Sequence, residues 1–260
     1  MIKNWTIGSD AEMFLVSRKD NSVFPVCGLV GGTKKKPKPM GTGGYFIQED
    51  NILLEFNIPV CRTPVDFVFA IQTGVARAKK LLPKGLEAIA MASGKLDAAF
   101  LDIPQACVFG CEPDFNAWEH NVNSRPHCDD PHLRTAAAHI HLGWENPNDA
   151  DRHAVIQAAD LFAGIPSIFE DKDTERRKLY GRAGAFRMKE YGVEHRVLSN
   201  YWIDMGANKI GSIYNRYKQA IDFVNKEKTI PGNHAKMIQE AINTNNKKIA
   251  SELVDTYHLT

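Results

Sequence analysis

Two acidic residues lie two positions apart near the start of the sequence, in the segment GSDAEMF (8–14). On a β-strand, residues at this spacing project from the same face, so Asp10 and Glu12 would lie side by side. Neighbouring carboxylates repel each other unless a cation separates them, and hard divalent ions prefer oxygen ligands. The pair therefore indicates either a metal site or an exposed strand face on which both acids are hydrated.

A third acidic residue, Glu55, lies between Leu54 and Phe56 in the apolar segment ILLEFN (52–57). A buried carboxylate needs a partner, because desolvation of an unpaired charge is costly. Glu55 is therefore a second candidate for metal binding. The alternative is an alternating strand whose hydrated face carries Glu55.

Two histidines occur two positions apart in AAAHIHLGW (136–144), again at the spacing that places both side chains on one strand face. A single histidine is usually structural. The pair His139 and His141, on an otherwise apolar strand, instead favours a metal-ligand pair or a pair of donors to phosphate.

The segment YGRAGAFRMKEYGVEHRVLSNYW (180–202) carries the densest set of charges. Arg182 and Arg187 are five apart, and Glu194 and Arg196 would share one strand face. The guanidinium group binds phosphate oxygens in a planar fork, so arginines beside acids are typical of a site for phosphate and metal together. A surface ladder of weak cross-strand ion pairs is the alternative.

These motifs must be positioned by strands. The pattern of β-forming residues and turns predicts strands at 6–16, 45–47, 52–58 and 135–144, and a hairpin at 182–202 with its turn near Tyr191-Gly192. Helices are predicted from Thr63-Pro64 to about residue 82, and at 149–163, 207–224 and 233–253. Gly164 and Pro166 are expected to stop the second helix. Strands in groups, with helices between and after them, predict an α+β fold with a mostly antiparallel sheet.

In the first predicted helix, apolar and neutral side chains recur along one helical stripe: Val65, Val68, Phe69, Gln72, Val75 and Ala76. Thr63 can cap the helix, and Pro64 suits its first position.

The composition limits the classes of protein to which the chain can belong. The chain has 260 residues, 43% of them hydrophobic and 24% charged, with a net charge of +1, which excludes a disordered or fibrous chain and does not indicate a nucleic-acid partner. The chain has five cysteines: Cys27, Cys61, Cys107, Cys111 and Cys128. An odd number of cysteines in a chain of this size favours a reducing compartment. With no apolar run long enough to span a bilayer and no signal peptide, we expect a cytoplasmic protein.

The order of the motifs resembles the glutamine synthetase and glutamate–cysteine ligase superfamily: GSDAEMF, ILLEFN, HIHLGW, and then the arginine-rich strand pair ending in VEHR. More narrowly, residues 180–202 look like phage-type carboxylate–amine ligases, or amidoligases. The resemblance covers residues 8–202. It implies a single catalytic domain over 1–260, with a curved sheet of the glutamine synthetase type and C-terminal helices from about residue 207.

The resemblance also implies a role for each motif residue. Divalent ions, Mg²⁺ or Mn²⁺, would be bound by Asp10, Glu12, Glu55, His139 and Glu194. ATP phosphates would be contacted by His141, Arg182 and Arg187. Catalysis of phosphoryl transfer would fall to Arg196 and Arg182. A second acid often lies upstream of the one that Glu55 matches, and Asp50 is the nearest candidate.

The implied activity is ATP-dependent amide formation between a carboxylate and an amine, through an acyl phosphate. The substrates would be small molecules or peptides, no membrane is involved, and the oligomeric state is left open. A phage-encoded enzyme would act in the host cytoplasm.

Two other functions fit part of the sequence. His139-x-His141-x3-Glu145 fits the centre of a cupin metal motif, although Leu133 and Arg152 stand where cupins have glycine. A non-catalytic binding protein on the ligase fold is the other.

The lysine-rich loop and the cysteines can each be interpreted in two ways. The lysines of the loop at 28–44, Lys34, Lys35, Lys36 and Lys38, would either close over an anion or remain solvated. Cys107, Cys111, His127 and Cys128 would either bind zinc or remain reduced without a metal.

Overall fold

The structure, a computed structural model, describes residues 1–107, 114–124 and 126–260. It is an α+β fold with a large, mostly antiparallel sheet flanked by helices, as the sequence predicts. The strands are β1 (Thr6–Ser17), β2 (Val23–Phe24), β3 (Lys38–Pro39), β4 (Phe46–Asp50), β5 (Leu53–Asn57), β6 (Leu86–Ile89), β7 (Ser93–Lys95), β8 (Phe115–Asn116), β9 (Asn121–Val122), β10 (Leu133–Thr135), β11 (Ala138–Gly143), β12 (Ala185–Lys189) and β13 (Gly192–His195). The helices are α1 (Pro64–Lys80), α2 (Pro104–Cys107), α3 (Asp149–Ala159), α4 (Ile165–Glu170), α5 (Glu175–Leu179), α6 (Ala207–Asn225), α7 (Gly232–Thr244) and α8 (Lys247–Tyr257), with a 3₁₀ turn at Ala98–Phe100 and a π-helical turn at Asp160–Gly164.

Strand β1 lies near the middle of the main sheet, whose order is β3-β4-β5-β1-β11-β13-β12-β8-β9. Its first half pairs with β5 and β11, and its second half pairs with β2 and β6. Strands β7 and β10 form a separate two-stranded sheet. The strands that carry the sequence motifs were all predicted, with ends that shift by a few residues, and they are neighbours in space.

The two faces of the central strands differ sharply. Along β1, Ala11 and Met13 are fully buried in the main apolar core, together with Phe56 of β5 and Ile140 of β11. Because successive side chains of a strand point to opposite faces, the alternate residues of these strands project from the other face, and they include all the acids and histidines of the motifs.

Helices α1, α3 and α6 cover the apolar face. α1 begins as predicted, with the Thr63 side chain accepting a hydrogen bond from the Asp66 N–H and Pro64 in the first turn. Its buried face shares Val75 with the predicted stripe, but Val65 and Phe69 of that stripe are 75% and 67% exposed. The helix instead buries a stripe shifted around its axis, namely Phe67, Ala70, Ile71, Gly74, Val75 and Ala78. The position of the sheet decides which of the two apolar faces of the helix is buried, and sequence periodicity does not contain that information.

The predicted stop of the second helix at Gly164 and Pro166 is wrong. The chain remains helical through the π-helical turn and continues as α4. Pro166 is accommodated because it lies in the first turn of α4, where its missing N–H removes little hydrogen bonding. The predicted helix at 233–253 is divided in two, since Asn245 has a left-handed φ of 54° and ends α7.

The hairpin between β12 and β13 turns at Gly192, which has a φ of 151°. A Cβ at this position would collide with the backbone carbonyl oxygen of Leu142 on β11. Glycine is therefore required for β13 to run close beside β11 and to place Glu194 opposite His141.

Within the described residues, no helix combines the length and the apolar character needed to cross a membrane.

Candidate metal and phosphate site

The register of four adjacent strands brings the predicted metal ligands together. Asp10 of β1 lies opposite His139 of β11, and His141 lies opposite Glu194 of β13. Along the edge of β1 that pairs with β5, Glu12 lies opposite Glu55. Five side chains separated by up to 184 positions in the sequence thus share one patch of one sheet face, together with His141.

Three carboxylates form the first group, which we call the acidic cluster: Glu12, Asp50 and Glu55. Their ligand oxygens all lie within 4.8 Å of one another. Asp50 reaches Glu55 because β4 and β5 form a tight hairpin in which Asp50 pairs with Leu53. The structure thus places Asp50 in the acidic cluster, whereas the sequence offered it only as the nearest candidate for a second acid upstream of Glu55.

The acidic cluster is electrostatically unfavourable without a cation. Burial, followed by the charge of Asp50, raises the pKa of Glu12 to about 8. Burial, followed by the charges of Asp10 and Glu12, raises the pKa of Glu55 well above its ordinary value. Glu12 is also fixed in position, since its Oε2 accepts a 2.6 Å hydrogen bond from the N–H of Ala137. Three oxygen donors fixed at this spacing match the preference of Mg²⁺ or Mn²⁺.

The second group, the imidazole cluster, contains Asp10, His141 and Glu194, whose ligand atoms also lie within 4.8 Å of one another. His141 Nε2 is 3.1 Å from Asp10 Oδ2. The neighbouring His139 Nδ1 is 3.2 Å from Asp10 Oδ1 and 3.6 Å from Glu194 Oε1. Both histidines therefore reach the same two carboxylates. The division of roles between a metal-binding His139 and a phosphate-binding His141 stays a prediction.

The protonation states of His139, Asp10 and Glu194 suit ligand binding, whereas His141 differs: burial lowers its pKa, but the charges of Asp10 and Glu194 outweigh burial and raise it. Burial, followed by the charge of Arg196, lowers the pKa of His139 to about 4, so its imidazole is neutral at pH 7. Burial alone would raise the pKa of Asp10, but the attraction of His141 and His139 outweighs it and holds the pKa well below its ordinary value. Burial and Asp10 act in the same upward direction on Glu194, yet Arg196 and the histidines lower its pKa to about 2.

Tyr191 orients His141 from the hairpin turn. Its hydroxyl lies 2.5 Å from His141 Nδ1, which leaves Nε2 facing Asp10. A partner on the second ring nitrogen is how proteins usually fix the tautomer of a metal-binding histidine.

Three cations surround the Glu194 carboxylate. Arg196 Nη1 contacts Oε1 directly, Arg187 Nη1 lies 3.5 Å from the same oxygen, and Lys189 Nζ lies 2.7 Å from Oε2. Arg196 is buried and also donates from Nε to Asp114 Oδ2 at 3.2 Å. Arg187 and Arg196 therefore lie beside the imidazole cluster, and their predicted roles toward phosphate stay predictions.

Arg182 is not placed among them. Its side chain is exposed, and within the described residues it makes no hydrogen bond or ion pair with either cluster. Its predicted contact with phosphate would require the side chain to move.

A cavity of about 300 Å³ opens beside the acidic cluster. Glu12, Asp50, His139 and Arg196 line one part of it, and the remaining wall carries further cations: Lys34, Arg134 and Arg176. Buried Arg176 was not identified from the sequence. It donates to the backbone carbonyls of Val197 and Arg196. Burial lowers the pKa of Arg176 to about 10, and the nearby charge of Glu12 opposes this effect.

The lysine-bearing loop is attached to the fold at both ends. Glu49 accepts hydrogen bonds from the N–H groups of Gly28, Val30 and Gly31 at 2.8–3.1 Å. Arg77 donates to the Met40 carbonyl at 2.8 Å and lies over the ring of Tyr45. Lys34, between these anchors, lines the cavity.

The described residues give the zinc interpretation of the cysteines no support. Cys111 lies outside the described residues. Cys107 is exposed, and His127 is 87% exposed and forms an ion pair with Asp129. In the described part of the chain, the two clusters above are the groups of metal-ligating side chains.

Lys189 and Tyr191 were missed because both lie inside the motif segment at positions that the resemblance does not assign. Lys189 could have been identified from the two-residue spacing of a strand. It follows Arg187 by two positions and therefore shares its strand face, which is also the face of Glu194.

Comparison with known proteins gives no family. No protein-family model matches the chain. No curated protein matches it at a significant level of sequence similarity.

Proposed function

We propose that this protein is an ATP-dependent carboxylate–amine ligase of the phage amidoligase type, on a single domain with a glutamine-synthetase-like catalytic sheet. The observation that carries the proposal is the adjacency of the two clusters on one sheet face, with Arg187 and Arg196 both on Glu194 of the imidazole cluster. Two divalent ions beside phosphate-binding cations suit phosphoryl transfer. The order of the motifs along the sequence supports the same family.

The donor set suits Mg²⁺ or Mn²⁺. The acidic cluster offers three oxygens, and the imidazole cluster offers two oxygens and a ring nitrogen. When bound, such ions would neutralise the charges of ATP phosphates and of an attacking carboxylate. Arg187 would contact phosphate oxygens, as the resemblance implies.

Arg196 would contact the transferred phosphoryl group. It contacts Glu194 of the imidazole cluster and lines the cavity beside Glu12 of the acidic cluster. In the proposed reaction the acceptor carboxylate attacks the γ-phosphorus and ADP leaves. An amine then displaces phosphate from the acyl phosphate to give the amide. Charge that develops in both steps lies within reach of a fixed guanidinium.

The cupin-like alternative has less support. Glu145, the third residue of that motif, is exposed, and its Oε1 accepts a 2.6 Å hydrogen bond from the Asn4 side chain. The nearest carboxylates to the histidines are instead Asp10 and Glu194, which a cupin motif does not include.

The test begins with thermal unfolding in the presence of Mg²⁺ or Mn²⁺ and ATP. We expect the wild type to be stabilised, because a ligand that binds only the native state raises the melting temperature. Glu12→Gln should lose most of this shift. Asp222→Asn, which alters an exposed acid paired with Lys218 on α6, should keep it.

A screen for ADP release with pooled carboxylic acids and amines then separates an enzyme from a binding protein. Release that needs both pools supports the ligase. Nucleotide binding without release in any pool supports a non-catalytic protein on the ligase fold. Stabilisation by zinc alone, and not by magnesium with ATP, would favour the cupin-like reading.

A further inference from the structure

Lys189 is a cation that already occupies one oxygen of a metal-ligand carboxylate. Its Nζ lies 2.7 Å from Glu194 Oε2. Glu194 is almost completely buried, with 1% of its side chain exposed. An ion pair in such surroundings is weakly screened by solvent, so the position of the ammonium strongly affects what else Glu194 can bind.

The part of the chain that the structure describes places no comparable cation on the acidic cluster. Among the described residues, none of Glu12, Asp50 and Glu55 forms an ion pair with a lysine or arginine within 4.0 Å. The two clusters therefore differ before any ion binds. Among the described residues, cations act on the acidic cluster only from beyond ion-pair distance, whereas Glu194 in the imidazole cluster is contacted by Arg187, Lys189 and Arg196.

Of these three cations, Lys189 is the one best able to move. Its side chain is 30% exposed, against 13% for Arg187 and 7% for Arg196. Arg196 is also held by Asp114. The ammonium of lysine lies on a flexible four-carbon stem and does not depend on one planar geometry. Lys189 can therefore leave Glu194 without disturbing the strand.

We propose that Lys189 occupies the imidazole cluster in place of a divalent ion until nucleotide binds, and then moves from Glu194 to the nucleotide phosphates. The inference rests on the proposed function. Lys189 and an ion at Asp10, His141 and Glu194 compete for the same carboxylate and repel each other. Phosphate oxygens attract both, so the nucleotide relieves the competition.

The proposal predicts effects of opposite sign from one substitution. In Lys189→Met the competing charge is lost, so Mn²⁺ should bind the imidazole cluster more tightly when no nucleotide is present. The phosphate contact is lost as well, so a nucleotide should bind less tightly when Mn²⁺ is saturating. We expect about 10-fold in each direction, within the usual range of coupling between two sites. A purely structural role for Lys189 would not strengthen either interaction.

The experiment measures Mn²⁺ binding by calorimetry and by electron paramagnetic resonance, with and without a non-hydrolysable ATP analogue. Lys189→Arg keeps the positive charge and should retain most of the competition. Lys218→Met removes an exposed lysine whose partner is Asp222 on α6, and it should behave as the wild type. Circular dichroism checks that each variant is folded, and Lys189→Gln serves as a second uncharged variant if Lys189→Met is not.

The outcomes separate this inference from the function on which it rests. If the wild type binds two Mn²⁺ ions and the analogue, and Lys189→Met has unchanged affinity for both, the role of Lys189 is wrong and the metal site stands. If Mn²⁺ affinity falls in Lys189→Met, the lysine is a structural partner of Glu194 and the proposal is also overturned. If the wild type binds no Mn²⁺ at all, the proposed function fails, and the role of Lys189 fails with it.

Discussion

Glu12 on β1 lies directly opposite Glu55 on β5, and the two acids face each other within an otherwise well-packed sheet. Like charges in a cross-strand pair destabilise a sheet, and burial adds to the cost. Asp50 brings a third carboxylate to the same place. Such an arrangement weakens the metal-free fold and is understandable if a divalent ion completes it.

Replacement of Glu55 by glutamine should therefore separate stability from metal binding. Glu55→Gln removes one acid of the pair. The free energy of unfolding of the metal-free protein should therefore stay the same or rise by up to about 1 kcal/mol. The stabilisation by Mn²⁺ should be largely lost. Urea unfolding with and without Mn²⁺ measures both quantities, with Asp222→Asn as the matched control. A Glu55→Gln protein that retains the full stabilisation by Mn²⁺ would remove Glu55 from the site.

The raised pKa of Glu12 predicts how the stability of the metal-free protein depends on pH. Burial and Asp50 raise this pKa from 4.5 to about 8 in the folded state. Between these values the folded state retains a proton that the unfolded state has released, so the free energy of unfolding should fall as pH rises from about 5 to 8. The slope from one such group is at most about 1.4 kcal/mol per pH unit.

Unfolding at a series of pH values tests this dependence in EDTA and again with saturating Mn²⁺. The bound ion replaces the proton and should flatten the curve, and Glu12→Gln should reduce the slope in EDTA. A wild-type protein that becomes more stable in EDTA over the same pH range would contradict the sign.

The part of the site that lies on long strands could be predicted from the sequence. Two-residue periodicity is a local property, and it placed Asp10 with Glu12, and Glu194 with Arg196, on common faces. The strands themselves are dictated by alternating apolar residues. The registers that make these strands neighbours are seen only in the structure.

The remaining features depend on contacts that local patterns do not encode. Asp50 joins the cluster through the register of a hairpin, and Arg176 reaches the cavity from a short helix. Arg182 has the spacing expected of a phosphate ligand, but its side chain is exposed. The exposed side of α1 shows the same limit, since only the position of the sheet decides which apolar face is covered.

A partly buried charge network outside both clusters should control acid stability. Glu170 at the end of α4 accepts hydrogen bonds from Arg216 of α6 at 2.7 and 2.8 Å, from Lys209 at 2.6 Å and from Tyr201 at 2.8 Å. Burial opposes ionisation, but these donors lower the pKa of Glu170 to about 2. Its contribution to stability is complete above the unfolded value of 4.5 and is lost as pH falls from there towards 2.

Glu170→Gln leaves Arg216 buried without its carboxylate and should lower the free energy of unfolding at pH 7 by about 3 kcal/mol. The difference from the wild type should shrink towards pH 2. Affinity for Mn²⁺ should not change, because these donors lie outside both clusters. Asp222→Asn, which breaks an exposed pair, should cost less than about 1 kcal/mol. A similarly small loss in Glu170→Gln would show that the network contributes little.

The proposed role of Arg196 would depend on the planar fork of its guanidinium and not only on its charge. Its guanidinium contacts Glu194 through Nη1 and Asp114 through Nε, and its Nη1 lies 3.4 Å from His139 Nδ1. A lysine at this position keeps the charge but cannot satisfy these directions together. Arg196→Lys should therefore bind ATP and metal but lose about 10²-fold or more in turnover, the scale expected when a transition-state charge contact is lost.

Turnover is measured as ADP release with the acid and amine found by the screen, and nucleotide affinity is measured by calorimetry. Arg18→Lys is the matched control, since Arg18 is exposed and pairs with Glu87 at 3.5 Å. An exposed ion pair is worth only about 0–1 kcal/mol, so this control should turn over normally. Near-normal turnover in Arg196→Lys would place Arg196 among such pairs. A loss of nucleotide affinity would instead assign it to ATP binding, because a contact made equally in the ground state and the transition state lowers affinity without a selective effect on turnover.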